Sequence, residues 1–233
     1  MPDRALRVNG MPIKRLFSDW TKEELEDAFG LTRIFHHALF TSWFARASVM
    51  ELTPFERELI TNLRQVVIEN IDAWNEIELA EYFIGPILAG VNFNTPTFKI
   101  FSERPLSGIV GDYELYGEPD AMIAKGIYSP KIPYFCFHEY KKENEPKGDP
   151  AAQALSAMLA AQTLNSHEHT IYGLYVVGKM WYFMLLRGQT YSISTGHNAL
   201  KDEIFDIFKL LKALKAMLIE VANADASDTL ARA

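Results

Sequence analysis

The residues best placed to do chemistry lie in two nearby stretches, Gly117-Glu118-Pro119-Asp120-Ala121-Met122-Ile123-Ala124 and Phe135-Cys136-Phe137-His138-Glu139-Tyr140-Lys141. On a strand, side chains two apart share a face, so Phe135, Phe137, Glu139 and Lys141 form one row and Asp120, Met122 and Ala124 another. Three ionisable groups thus continue apolar, core-facing stripes. Taking such groups out of water costs several kcal/mol each unless a partner or a metal compensates. Two carboxylates can hold Mg²⁺ or Mn²⁺, hard cations that accept oxygen ligands, and Mg²⁺ keeps several of its waters. A cation of this kind polarises a phosphate and lowers the pKa of an attacking water. Lys141 could orient that water or offset charge developing on the phosphate. The competing reading is a partly exposed Glu139–Lys141 ion pair at an edge-strand end, with Asp120 a turn residue after Pro119, since short D…E-x-K matches arise by chance.

The elements that position these residues follow from periodicity. Ser18 precedes a short helix beginning near Trp20, and Leu31 to Met50 reads as a second. Thr53-Pro54-Phe55-Glu56 is a capping-box pattern that opens a long helix with Ile60, Leu63, Val67 and Ile71 on one side. The helical pattern continues, with or without a break, through Glu76 to Ile84 and declines at Pro86 and Gly90. A meander of strands is expected over Thr97–Glu103, Ile109–Tyr116, Glu118–Lys125 and Ile132–Lys141. Asp149-Pro150 then starts a helix that carries no charge as far as Asn165, which marks it as buried on more than one face. Tyr172–Val177 and Met180–Leu186 form a strand pair, Thr190–Ser194 adds another strand, and a last helix runs over 198–223 before a flexible tail at 224–233. The order predicts an α/β (α+β) fold in one domain, with residues 1–70 a helical N-terminal extension and 71–195 the core.

Pro119-Asp120, then Glu139-Tyr140-Lys141, then a helix opening at Asp149-Pro150 and holding Gln153, then paired strands, is similar to the core of the PD-(D/E)XK nuclease superfamily. The resemblance covers roughly Glu76 to Leu186 and implies a restriction-endonuclease-like mixed β-sheet flanked by helices, in α-β-β-β-α-β order. It implies that Asp120 and Glu139 bind a divalent metal and that Lys141 assists the nucleophilic water. Many members add a glutamate from the preceding helix, for which Glu76 is the candidate and Glu78 and Glu81 are competitors; each also suits a solvated helix face. Gln153 matches the glutamine of RecB-like members, although Ala157 stands where those have a tyrosine, and it equally suits a buried amide satisfying the backbone. The activity so implied is Mg²⁺-dependent endo- or exonucleolytic hydrolysis of nucleic acid, with DNA the expected substrate. The superfamily also holds catalytically silent members, so the alternative is an inactive module of the same fold that binds nucleic acid or a protein.

Bulk properties bound these readings. The 233 residues carry a net charge of -7, so any phosphate binding must be local or metal-borne. Lys125, Lys131, Lys141, Lys142 and Lys147 bracket the proposed site and suit either phosphate contacts or a solvated strand edge. One cysteine, Cys136, excludes an intrachain disulfide framework and points to a cytoplasmic protein. The apolar run Leu174–Leu186 contains Gly178-Lys179 and is too short to span a membrane. His138-Glu139 lacks the second histidine of a zinc-protease helix, His36-His37 suit polar helix positions, and His167-Glu168-His169 suits a loop. Phosphate-cradling glycine motifs are absent from the sequence. The helical residues 1–70 suit substrate recognition, pairing of two copies as a homodimer, or shielding of the sheet.

Overall fold

The N-terminal residues of the computed structural model, which describes residues 11–142, 148–167 and 169–231, alternate short strands with helices. They comprise β1 (Ile13–Leu16), α1 (Lys22–Phe29), β2 (Thr32–Arg33), α2 (Ala38–Ser48) and α3 (Pro54–Asn70). Thr21, not Ser18, starts α1: its hydroxyl caps the Glu24 N–H while the Glu24 carboxylate accepts the Thr21 N–H. The helix expected from Leu31 begins only at Ala38, because Thr32 and Arg33 pair in parallel with a later strand. Thr53 and Glu56 form the anticipated capping box.

After a break at residues 71–75 come α4 (Glu76–Leu79), a π-helical turn (Ala80–Ile84) and α5 (Gly85–Val91), so the helix continues through Pro86 and Gly90. Then follow β3 (Phe98–Ser102), β4 (Leu106–Val110), β5 (Tyr113–Gly117), β6 (Ala121–Lys125) and β7 (Lys131–Lys141). The expected four-strand meander is not what forms. The stretch Ile109–Tyr116 is a hairpin turning at Gly111, whose φ of 57° suits glycine, and β4 and β5 leave to join β1 in a separate three-stranded sheet. The chain continues through α6 (Pro150–Leu164), β8 (Ile171–Val177), β9 (Met180–Arg187), β10 (Thr190–Ile193), β11 (His197–Asn198) and α7 (Glu203–Ala231). The last helix thus starts five residues later than expected from Asn198, which pairs with β9 instead, and extends through most of the segment read as a tail.

The large sheet has the order β2-β10-β9-β8-β7-β6-β3, with β11 also on β9. Its centre is mixed: β3, β6 and β7 are successively antiparallel, whereas β7 and β8 are parallel and α6 connects them. One face packs on a core containing Trp43, Ile60, Phe83 and Phe208 from the N-terminal helices and α7. The opposite face, including Met122, Phe137 and Met184, packs on α6, whose other side meets Leu106 and Leu115 of the small sheet. Burial between two sheets explains why α6 has no charged residue. Each fully buried leucine or methionine there contributes about 1.5–3 kcal/mol. The approach is closest at Gly108, where a Cβ would lie 2.8 Å from the Ala160 carbonyl oxygen. Gly108→Val is therefore expected to cost about 1–3 kcal/mol through overpacking, read as a lower denaturation midpoint at unchanged m-value. Among the described residues no helix is long and apolar enough to cross a membrane.

Candidate active site

The β6–β7 ladder positions the chemistry. Ala121 pairs with His138 and Met122 with Phe137, which sets Asp120, just before β6, beside the last residues of β7. The Tyr140 N–H donates to Asp120 Oδ2 at 2.5 Å, so the acid caps the open end of the ladder. Farther along, a register irregularity lets Ala124 face Tyr134 while Ile123 faces Cys136. The bulge turns Phe135 into the helix-side core with Cys136 and Tyr140, so Phe135 does not belong to the row of Phe137, Glu139 and Lys141.

Glu139 and Lys141, two apart on β7, point the same way, and Lys141 Nζ donates to Glu139 Oε1 at 2.6 Å. Their side chains are only 2% and 12% exposed, which removes the reading of a solvated edge pair. Glu76, the first residue of α4, brings Oε1 to 3.6 Å from the same Nζ. Asn75 and Glu78 cap the helix start reciprocally, which occupies Glu78 and withdraws it as a competitor. Asp120 and Tyr140 open onto a cavity of about 410 Å³ walled by α4, the π turn, α5 and the end of β3, into which Glu76, Glu81 and Glu103 also project. One ammonium thus pairs with two carboxylates, Glu139 and Glu76, and feels the charge of a third, Asp120.

The charges respond accordingly. Burial pushes the Glu139 carboxyl up to about 8, and the Asp120 charge adds to the rise while Lys141 opposes it. Burial also lifts Asp120 to about 6, against the pull of the Tyr140 N–H and Lys141 and with the repulsion of Glu76 and Glu103. For Lys141 burial works downward, but Glu139, Glu76 and Asp120 more than reverse it, so the ammonium stays charged. On the opposite face of β7, burial pushes His138 down to about 3; its Nδ1 lies 2.9 Å from the Tyr140 hydroxyl and it stays neutral.

Among the described residues, no three histidine, cysteine or acidic side chains meet closely enough to hold a metal by themselves. Lys141 occupies Glu139 and the Tyr140 N–H occupies Asp120 Oδ2. The structure therefore gathers Asp120, Glu139, Lys141 and Glu76. Gln153, half-buried near the start of α6, makes no side-chain hydrogen bond to any of them. Lys125 and Lys131 pair at the opposite end of the β6–β7 ladder and do not bracket the site; Lys147 lies outside the described residues, as does Glu168. Glu103 was not singled out from the sequence. Ser102 pairs with Ala121, so Glu103 falls opposite Asp120, donates its N–H to the Asp120 carbonyl at 3.2 Å and holds a φ of 48°. Only the β3–β6 register reveals it. No protein-family model matches the chain, and no curated protein matches it in sequence.

Proposed function

We propose that this protein is a divalent-metal-dependent phosphodiesterase of the PD-(D/E)XK type that hydrolyses nucleic acid, with DNA the first substrate to test. The observation that carries the reading is the burial of Asp120, Glu139 and Lys141 at one sheet end with Glu76 over them. Element order supports it: a helical segment (α4 to α5), three strands in antiparallel succession (β3, β6, β7), a helix (α6) and a strand parallel to the last (β8) reproduce α-β-β-β-α-β once the β4–β5 hairpin is set aside as an insertion.

The donor set fits a hard dication as a two-carboxylate site, because Mg²⁺ uses one or two carboxylates and fills its other positions with water and substrate phosphate. The fit is electrostatic as well. Three carboxylates around one ammonium leave uncompensated negative charge, which is part of why Glu139 and Asp120 resist ionisation. When bound, a divalent cation supplies Lewis acidity and a water of lowered pKa. Asp120 and Glu139 would hold it, and Glu76 keeps Lys141 at the mouth of the site. Lys141, held charged, donates hydrogen bonds to phosphate oxygen and stabilises charge there; it does not begin as a base.

The second reading, a non-catalytic module of the same fold, draws on the 2.6 Å Lys141–Glu139 contact, which satisfies both groups without a metal. Incubating labelled single- and double-stranded oligonucleotides with the protein in Mn²⁺ or Mg²⁺, against chelator, separates the two. The nuclease reading expects metal-dependent cleavage that Asp120→Asn abolishes with the fold intact. Equal cleavage by that variant, or none by the wild type in either metal, would remove it.

A further inference from the structure

Glu139 does not stand alone on its rung of the sheet. In the registers it lies opposite Tyr175 of β8, and Tyr175 lies opposite Tyr182 of β9, so the three side chains project from one face at successive strand spacings. The two tyrosine rings stack, with centroids 4.6 Å apart and planes 9° from parallel. Gly196 closes the far side of the stack, where a Cβ would come within 2.8 Å of the Tyr182 ring. Both tyrosines are half-buried.

Arg33 reaches the same face from β2, paired beside Tyr191. Its charge acts on the Tyr175 hydroxyl, opposing the rise that burial, Tyr182 and Asp149 impose on that group. Asp149, the acid nearby, is taken by Lys22 in an ion pair. Among the described residues Arg33 has no carboxylate partner, and its buried Nε makes no hydrogen bond. The guanidinium rests over the exposed ring of Phe35, 4.8 Å from its centroid. A partly buried guanidinium whose Nε is left without a partner is costly unless a ligand satisfies it.

We propose that Lys141, Tyr175, Tyr182 and Arg33 form a phosphate-contact track that carries a nucleic-acid strand from the acidic site across β8 and β9 towards β2. This deepens the nuclease reading and rests on it for the identity of the ligand. All four groups can donate hydrogen bonds and two are cationic; the stacked tyrosines, one strand spacing apart, suit one shared phosphate, with Lys141 and Arg33 on either side of them for its neighbours. The track also supplies the local attraction that a chain of net charge -7 otherwise lacks. The lysines at the far end of the β6–β7 ladder do not provide it.

The test measures binding apart from cleavage. Fluorescence anisotropy of a labelled single-stranded DNA 20-mer, and separately of an RNA of the same sequence, is followed in chelator at several salt concentrations. The double variant Tyr175→Phe/Tyr182→Phe keeps the stacked rings, and Arg33→Met keeps the aliphatic stem. Arg33→Met is expected to weaken binding about 5- to 30-fold and to reduce the salt slope by about 0.7, the value of one single-strand phosphate contact. The double phenylalanine variant is expected to weaken it about 3- to 10-fold, the loss of one or two neutral hydrogen bonds. Wild-type affinity and slope in both variants, or no binding of either strand by the wild type, overturns the track. Cleavage in Mn²⁺ is scored separately: variants that lose binding while the wild type never cuts would uphold the track and remove the nuclease reading.

Discussion

Lys141→Ala is expected to lower metal-dependent cleavage by about 10²- to 10³-fold, the usual cost of removing one preorganised donor aimed at developing charge. The same change has a stability signature that a merely structural lysine would not produce. Removing one partner of a buried pair costs about 3–5 kcal/mol when the other stays charged. Glu139 has an escape, because burial and Asp120 already lift it to about 8 with the ammonium beside it. Without Lys141 the carboxyl rises further and is neutral at pH 7. The variant should therefore unfold close to the wild-type temperature from pH 6.5 to about 8 and fall progressively behind from there to pH 9, where Glu139 ionises in the wild type alone. Cleavage assays and thermal unfolding across that range check both halves. A pH-independent stability gap with retained cleavage would assign Lys141 a packing role only.

The second large effect concerns Glu139 in metal-free protein. Its folded pKa lies above the unfolded value of 4.5, so between those values the folded state binds more protons than the unfolded one, and stability falls as pH rises. Asp120 contributes the same sign between 3.8 and about 6. His138, held down at about 3, contributes the opposite sign below its ordinary 6.5. Above 6.5 those two are flat, and Lys141, raised from 10.5, is flat as well, so Glu139 dominates the slope among the site groups from 6.5 to 8. At ~1.4 kcal/mol per pH unit the loss over this window is at most about 2 kcal/mol. That corresponds to a fall of about 4–8 °C in Tm for a chain of this size. Glu139→Gln should flatten the profile and exceed the wild type at pH 8.5. A variant whose profile parallels the wild type would show that Glu139 ionises normally.

Much of this site was legible because it depends on local parity. Two-residue alternation set Glu139 and Lys141 on one side of β7, and Asp149-Pro150 announced α6. The charge-free run of α6 signalled double burial, though not that a second sheet supplies the other wall. That sheet depends on β1 pairing with β5 across about a hundred residues, which no local window contains. The Phe135 bulge escaped for a related reason, since a single extra residue shifts parity without leaving a compositional trace. The two-residue β2 was hidden because Thr32-Arg33 owes its strand geometry to β10. Glu103 and Tyr175 were missed because neighbouring strands, not neighbouring sequence, bring them beside Asp120 and Glu139. Glu76 was legible only as one of three glutamates, and its 3.6 Å approach to Lys141 Nζ decides among them.

Titration calorimetry with Mn²⁺ at pH 8, on the wild type, Asp120→Asn and Glu139→Gln, tests the central claim most directly. Two buried carboxylates that share one ion predict a single saturable site in the wild type, release of protons from groups that must ionise to bind, and at least a tenfold loss of affinity in each variant. Binding that is absent from the wild type, or that survives unchanged in both variants, would contradict a shared cation at Asp120 and Glu139.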